Sequence, residues 1–416
     1  MLLRVMQYSF ACLLSCACCL GGAHADGLTF DEALSVLRQQ APTLLAQNAG
    51  VSAAQSAEKA AGQLPDPKAF LGVGNLPMSG NGAYTLSGDP MAMQVFGISQ
   101  DVPNARKRAA WSKEAAVDVD VAQHKRRSVL SQLLRDTALA WVNRYYTEQR
   151  LALLDKIDAE NRALLSMVRA EVASGKKQPI DTVASEQAMA EWADERDDLL
   201  RARDEAKAAL IKLLGNRGNE DLAGDPPVFV VDVDTLRHQV SQYPDVRLYR
   251  ALVRKDEALA EEAQANKHPD WGWSLAYERR APGLSDMVSV QVTVGLPIFA
   301  ATRQDPEIAA RQAGVSEAEA EQLAMLREQR AKFADDLADY TASTHKLARI
   351  QQTWLPLAQE KYQLALAGYR SGKSAADMVI QSRQEWIAQQ FKAIDLENQR
   401  DDAAIRLRFA NGGEQS

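Results

Sequence analysis

The chain has 416 residues, a net charge of −7 at pH 7 and four cysteines, all of them before residue 20. An acidic chain is poorly suited to nucleic acid, which binds basic surfaces. The sequence after residue 20 has no thiol for a disulfide or a cysteine metal site. It also has no apolar run near the ~20 residues of a membrane helix, so any insertion into lipid would have to use strands.

Residues 1–25 are predicted to be a signal peptide. Arg4 supplies a positive charge near the start, residues 8–20 are mostly apolar, and Ala23-His24-Ala25 fits a small-x-small cleavage pattern. An alternative is lipoprotein processing, because Cys16 ends a stretch that resembles a lipoprotein cleavage box. Cys16 would then be the lipidated first residue of the mature chain.

The sequence after the signal consists of two similar halves. We define repeat 1 as residues 26–217 and repeat 2 as residues 236–411, with a linker at 218–235 and a short tail at 412–416. Each half has a proline in its first helical stretch and another 25 positions later, where that stretch ends: Pro42 and Pro67, Pro244 and Pro269. A duplicated order of elements predicts one intertwined unit rather than two separate domains.

Each half contains a predicted β-hairpin. The strands are expected at about 68–74 and 92–101 in repeat 1, and at about 271–279 and 288–296 in repeat 2. Residues 288–294 alternate strictly between apolar and polar, which indicates a strand with one apolar and one polar face. Four strands cannot close a membrane barrel, because the smallest bacterial barrels need about eight. If these strands enter a membrane, several copies of the chain must combine.

Aromatic residues lie in the predicted strands, at Phe70, Trp271, Trp273 and Tyr277. Aromatic side chains at barrel strands typically form girdles at the two membrane interfaces. We therefore predict a barrel girdle from these four residues, with packing in an ordinary core as the alternative.

Long helices follow each hairpin. Residues 104–174 contain no glycine or proline and would extend roughly 105 Å as one helix. Tip turns are predicted at about 174–179 and 371–374, and kinks at Pro42 and Pro356. The predicted fold class is mainly α with a small β part, built from a duplicated helix, β-hairpin and long-helix pair.

No catalytic constellation is visible in the sequence. The four histidines after the signal lie far apart, at His124, His238, His268 and His345, and not at metal-ligand spacing. There is also no glycine-rich phosphate loop. We expect neither an enzyme, nor a cofactor, nor a metal site. Three methionines could be considered a soft-metal trio, although loop packing is the plainer interpretation: Met78, Met91 and Met93.

This architecture resembles the TolC-like outer-membrane efflux proteins over essentially all of residues 28–411. Gly175 and Gly372 match the family's glycines at the helical turns, and Pro103 and Pro297 match its prolines at the hairpin ends. The resemblance implies a homotrimer in the outer-membrane lipid of a Gram-negative bacterium. Four strands per chain would form a 12-stranded β-barrel, and the helices would form an α-barrel tube in the periplasm.

A narrower resemblance is to the CzcC-like branch, which serves cobalt–zinc–cadmium efflux. It is carried by residues 64–67, 74–77, 84–93 and 97–103. It implies a passive exit duct for heavy-metal cations that docks to a periplasmic adaptor, a membrane fusion protein, and to a proton-driven resistance–nodulation–division (RND) pump. Two alternatives stay open: the same duct for drugs or secreted polypeptides, and a periplasmic coiled-coil scaffold or adaptor without a pore.

The resemblance also implies roles for the tip residues. Adaptor docking would involve Gly175 with Lys176 and Gly372 with Lys373, although the glycines are also simple helix C-caps. Asp181 and Asp377 lie six and five positions after the tip glycines, near an acidic position of the family. They would form charged rings at a periplasmic constriction. Acids also favour helix starts for electrostatic reasons.

Overall fold

The computed structural model of the chain describes residues 27–175, 178–374 and 376–412. The predicted signal peptide with Cys16, Lys176 and the end of the tail lie outside these ranges. In chain order the elements are α1 (Phe30–Gln40), α2 (Pro42–Ala60), β1 (Lys68–Gly74), β2 (Met93–Val102), α3 (Ala105–Ala173), α4 (Pro179–Leu214), α5 (Val233–Gln239), α6 (Pro244–Ala265), β3 (Trp271–Arg280), β4 (Met287–Val294), α7 (Gln304–Arg349), α8 (Leu355–Arg370) and α9 (Ala376–Phe409).

The order of helix, hairpin and long helices occurs twice, which confirms the predicted fold class. Both hairpins lie within two residues of the expected strand positions. They combine into one antiparallel sheet with the order β1-β2-β3-β4, in which β2 of repeat 1 pairs with β3 of repeat 2. The outer edges of β1 and β4 have no strand partner within the described part of the chain. The two repeats therefore share one sheet.

The chain breaks at Pro42 instead of kinking. A capping box starts α1, with the Glu32 amide donating to Thr29 Oγ1 and the Thr29 amide donating to Glu32 Oε2. Ala41 is extended (φ −62°, ψ 117°) and ends this helix, so our expectation of one kinked helix was wrong. The ring of a proline disfavours the helical conformation in the preceding residue, and Pro42 then begins α2.

The helix α3 has 69 residues, which corresponds to about 100 Å. It begins at Asn104, whose side chain accepts a 2.9 Å hydrogen bond from the Lys107 amide. No helix among residues 27–175, 178–374 and 376–412 combines the length and apolar character needed to cross a membrane.

A π-helical turn at Ile350–Trp354 lies between α7 and α8, directly before Pro356. The turn coincides with the kink predicted there. A proline inside a helix cannot donate to the carbonyl four residues earlier, here that of Gln352, and its ring clashes with that carbonyl. Widening the turn relieves both problems.

The main core lies at the middle of α3, around the fully buried Trp141. The Phe30 ring packs edge-on against Trp141 with centroids 5.6 Å apart, and Phe229 packs against Phe30 at 5.7 Å. The Trp141 indole N–H donates to the Leu28 carbonyl at 3.0 Å. Leu28 also forms a parallel bridge with Leu222. The segment between the repeats therefore packs onto the centre of the long helices.

Candidate functional site

The strand register gives the sheet one apolar and one polar face. On one face Phe96, Tyr277 and Val288 are aligned across three strands, and on the other Gly97, Ala276 and Ser289 are aligned. Twelve apolar side chains share the first face, each at least 36% exposed: Leu71, Val73, Phe96, Ile98, Trp271, Trp273, Leu275, Tyr277, Val288, Val290, Val292 and Val294. A contiguous apolar surface of this kind marks an interaction with a partner or a membrane.

The opposite face carries hydrogen-bonding and charged groups. Lys68 Nζ lies 2.6 Å from Asp101 Oδ2, and Ser289 donates a 2.7 Å hydrogen bond to Glu278. Gln291 lies on the same face of β4. The two faces therefore suit different surroundings, one apolar and one aqueous.

The register divides the four predicted girdle residues. Trp271 and Trp273 lie on the apolar face at the helical end of β3, and Tyr277 lies on that face nearer the hairpin turn, where its hydroxyl donates to Asp286. Phe70 lies on the polar face, opposite Gly97. Its ring covers this glycine so closely that a Cβ there would lie 2.2 Å from Phe70 Cζ. Phe70 therefore does not share the face of the other three predicted girdle residues.

The hairpin-end prolines occupy different surroundings. Pro103 separates β2 from Asn104, whose amide donates to Asp270 Oδ1 at 2.7 Å and whose side chain donates to the same oxygen at 2.9 Å. This network fixes the start of α3 to the start of β3. Pro297 follows β4 between exposed apolar neighbours, with Leu296 at 71% and Ile298 at 72% exposure. The amide of Gly295, at the end of β4, also donates to the Asp270 carbonyl at 2.7 Å, so both hairpin ends connect to Asp270.

The two tips have the same backbone geometry. Gly175 and Gly372 have φ of 72° and 74°, in the left-handed region that favours glycine. Their amides donate to the Val172 and Tyr369 carbonyls at 3.0 Å in each case. Apart from the glycine and its two chain neighbours, no atom of the described residues lies within 4 Å of the Cβ position at either glycine. The turns therefore need glycine for its backbone conformation and not because a side chain would clash. Lys373, next to the second turn, is exposed.

The two candidate constriction residues lie in the first turns of the returning helices. Asp181 is the third residue of α4, and Asp377 is the second residue of α9, where its side chain is exposed. Each lies close to its own tip turn. An acid in the first turn also interacts favourably with the partial positive charge of a helix start.

Contacts between the repeats near the tips were not predicted from the sequence. The Tyr369 hydroxyl donates a 2.6 Å hydrogen bond to Glu171 Oε2, which connects α8 to α3. Arg383, on α9, donates to Glu160 Oε2 at 2.8 Å and to the side chain of Asn161. Tyr369 and Glu171 precede their tip glycines by three and four positions. Their position close to the tip turns was the only feature of the sequence that pointed to this contact.

An apolar cavity of about 400 Å³ lies beside these contacts, between α3, α8 and α9. The rings of Tyr362 and Trp386 are stacked at its wall, with centroids 5.6 Å apart. Met167 and Leu366 also line it. Packing between the repeats is therefore incomplete just above the tips.

Buried carboxylates lie farther from the tips, near the end of α9. Asp401 accepts a 2.6 Å hydrogen bond from the Tyr146 hydroxyl and pairs with Arg400 at 2.7 Å. Burial raises the pKa of Asp402 to about 6, against the charge of Arg406, which lowers it, while the negative charge of Asp401 adds to the rise. Within the described residues no group of three His, Cys, Asp or Glu side chains could hold a metal ion.

Comparison with known proteins agrees with this architecture. Residues 238–413 match the family model described as outer membrane efflux protein. No curated protein sequence matches the chain.

Several solved structures share the fold. A membrane protein from Pseudomonas aeruginosa is 16% identical with a TM-score of 0.80, covering 92% of this chain and 89% of its own. The Campylobacter jejuni CmeC outer membrane channel is 12% identical with a TM-score of 0.79, covering 93% and 86%. The open state of the Neisseria gonorrhoeae MtrE outer membrane channel is 14% identical with a TM-score of 0.75, covering 92% and 88%. The chain therefore shares the fold of these outer membrane channels.

Proposed function

We propose that the chain is the outer-membrane duct of a tripartite efflux system in a Gram-negative bacterium. The sheet is the observation that carries this proposal, because twelve apolar side chains on one face are exposed while the outer edges of β1 and β4 have no strand partner among the described residues. Unpaired backbone groups at a strand edge are not tolerated in lipid. Three copies, each pairing β4 with β1 of the next, would close a barrel of twelve strands. The apolar face would then contact lipid, and the polar face would line the lumen.

The long helices support the second part of the proposal, a tube through the periplasm. A helix of 69 residues spans about 100 Å, and it ends in tips far from the sheet. Gly175, Lys176, Gly372 and Lys373 would dock a periplasmic adaptor, which connects the duct to a proton-driven RND pump. The lysines would contribute charge complementarity, which sets docking register more than affinity. The pump supplies the energy, and the duct is passive.

The closed state would be held at the tips. The Tyr369–Glu171 hydrogen bond joins the two repeats there, and rings of Asp181 and Asp377 would attract cations to the constriction. Docking of the adaptor would separate the repeats and widen the opening. Cargo would then diffuse through the lumen.

We further propose heavy-metal cations as the cargo, from the resemblance of residues 64–67, 74–77, 84–93 and 97–103, in and around the first hairpin, to the CzcC-like branch. Drugs and secreted polypeptides are the alternatives. A strain lacking this gene should become sensitive to zinc, cobalt or cadmium salts and keep its tolerance to drugs. The reverse pattern would contradict the cargo assignment and leave the duct itself intact.

The decisive test of the duct is its behaviour in lipid. Full-length protein extracted from outer membranes with detergent should have the mass of a trimer and should carry ion current in planar bilayers. A water-soluble monomer without current would overturn the proposal. It would favour a periplasmic scaffold or adaptor, which needs long helices but no apolar sheet.

A further inference from the structure

A cleft of about 490 Å³ lies where the two repeats meet the segment between them. Its walls come from α3, from residues 230–236, from the start of α6 and from the end of α9. It lies far along the chain from both tips and from the sheet. None of the residues proposed above for conduction or docking lines it.

Positive charge dominates this cleft. Three arginines line it, Arg127, Arg247 and Arg408, against one carboxylate, Asp232. Asp232 is already engaged, since it accepts hydrogen bonds from the Thr235 amide at 3.2 Å and hydroxyl at 2.6 Å. Three cations against one acid form an unusual local excess in a chain of net charge −7.

The arginines lack acidic partners. Arg247 donates only to the neutral side-chain amide of Gln242, at 3.0 and 3.2 Å. Arg127 and Arg408 make no hydrogen bond or ion pair with any residue of the described ranges. Several arginines elsewhere in the chain have acidic partners, for example Arg383 with Glu160 at 2.8 Å. The guanidinium groups around the cleft therefore keep free donors.

The surroundings add to the positive potential. His124 lies on the neighbouring part of α3. Burial lowers its pKa, and the charges of Arg127, Arg254 and Arg247 lower it further, with only Asp120 opposing them. The charges of these arginines make the local potential positive, which favours an anion.

We propose that this cleft is a binding site for a small anion with at least two carboxylate or phosphate groups. Guanidinium groups present planar forks of donors that match carboxylate and phosphate oxygens. Three guanidinium groups around one cleft suit an anion with several acidic groups better than an anion with one. Leu130, Val230 and Pro244 supply apolar contacts in the same walls and leave room for a small carbon skeleton.

The test is isothermal titration of the detergent-solubilised full-length protein with two probes, inorganic pyrophosphate and citrate, in separate experiments. At least one probe should bind saturably, and the stronger one identifies the preferred group. The double variant Arg127→Gln/Arg408→Gln should weaken that binding at least tenfold. Arg162→Gln is the matched control, because Arg162 is an exposed arginine on the same helix and lies outside the cleft.

A second variant tests the sign of the charge effect. Asp232→Asn removes the one lining carboxylate and keeps a residue suited to the N-cap of α5, so it should tighten binding severalfold. Circular dichroism and gel filtration would show that each variant folds. The inference is overturned if neither probe binds saturably, or if the double variant binds as tightly as the Arg162→Gln control.

Discussion

The hydroxyl of Tyr369 and the carboxylate of Glu171 are joined by a 2.6 Å hydrogen bond, although 198 positions separate them in the chain. One residue lies just before the tip turn of repeat 2, and the other just before that of repeat 1. The contact connects α3 to α8, which would separate under the proposed opening of the tips.

Replacing Tyr369 with Phe is expected to favour the open state. A hydrogen bond to a carboxylate that is partly exposed contributes about 1–2 kcal/mol, so the open population should rise about five- to thirtyfold. Single-channel recordings in planar bilayers would measure this as a higher open probability. Tyr362→Phe is the control, since Tyr362 lies on the same helix and stacks on Trp386. Equal open probabilities in both variants would contradict a role for the Tyr369 contact.

The acids near the tips should control cation preference. Replacing Asp181 and Asp377 together with Ala removes six carboxylates from a trimer, so the potential at the constriction becomes less negative. The ratio of cation to anion permeability, from reversal potentials in a salt gradient, should fall severalfold. If both the ratio and the block by divalent cations stay unchanged, these residues do not form the constriction.

The two faces of β4 should respond differently to charge. Val290 is 72% exposed on the apolar face, and its neighbour Gln291 lies on the polar face. An arginine facing lipid costs about 2–4 kcal/mol near the bilayer midplane, so Val290→Arg should reduce the amount of trimer in outer membranes. Gln291→Arg would point into the lumen and should assemble normally.

Comparing outer-membrane fractions on gels without heating would measure trimer formation by both variants. In a water-soluble protein an exposed valine tolerates arginine, so normal assembly of Val290→Arg would argue against contact of this face with lipid.

Asp402 should make stability depend on pH. Burial raises its pKa from the ordinary value of 3.8 to about 6 in the folded chain. Between these values the folded state binds more protons than the unfolded state, so stability falls as the pH rises. Ionising the buried carboxyl group lowers the free energy of unfolding. This loss is absent below about pH 4 and complete above about pH 6, where it amounts to at most about 3 kcal/mol.

The variant Asp402→Asn should therefore melt at a higher temperature than the parent chain at pH 7.5, and at a similar temperature at pH 3.5. Asp335→Asn, at an exposed position of α7, provides the control and should leave the pH dependence unchanged. If the melting temperature of Asp402→Asn changes with pH as much as that of the parent chain, another group causes the pH dependence.

Local patterns in the sequence were enough to predict the helices and strands. The stretch without glycine or proline at 104–174 predicted α3, and the alternation at 288–294 predicted β4, because helix and strand periods are local properties. The tip turns could also be predicted from their glycines, since only glycine adopts a positive φ easily. The sequence also located the interruption at Pro42, but the structure has a break between two helices there and not a kink.

The sequence by itself therefore determined the order of elements, the amphipathic character of β4 and the turns. The tertiary structure decided which side chains share a surface. Phe70 lies in a strand with apolar residues at both odd and even positions, so only its register against β2 places it on the polar face. The Tyr369–Glu171 contact and the arginine cleft join segments that lie far apart along the chain. Such pairings depend on how whole helices pack, and no periodicity within a single segment specifies them.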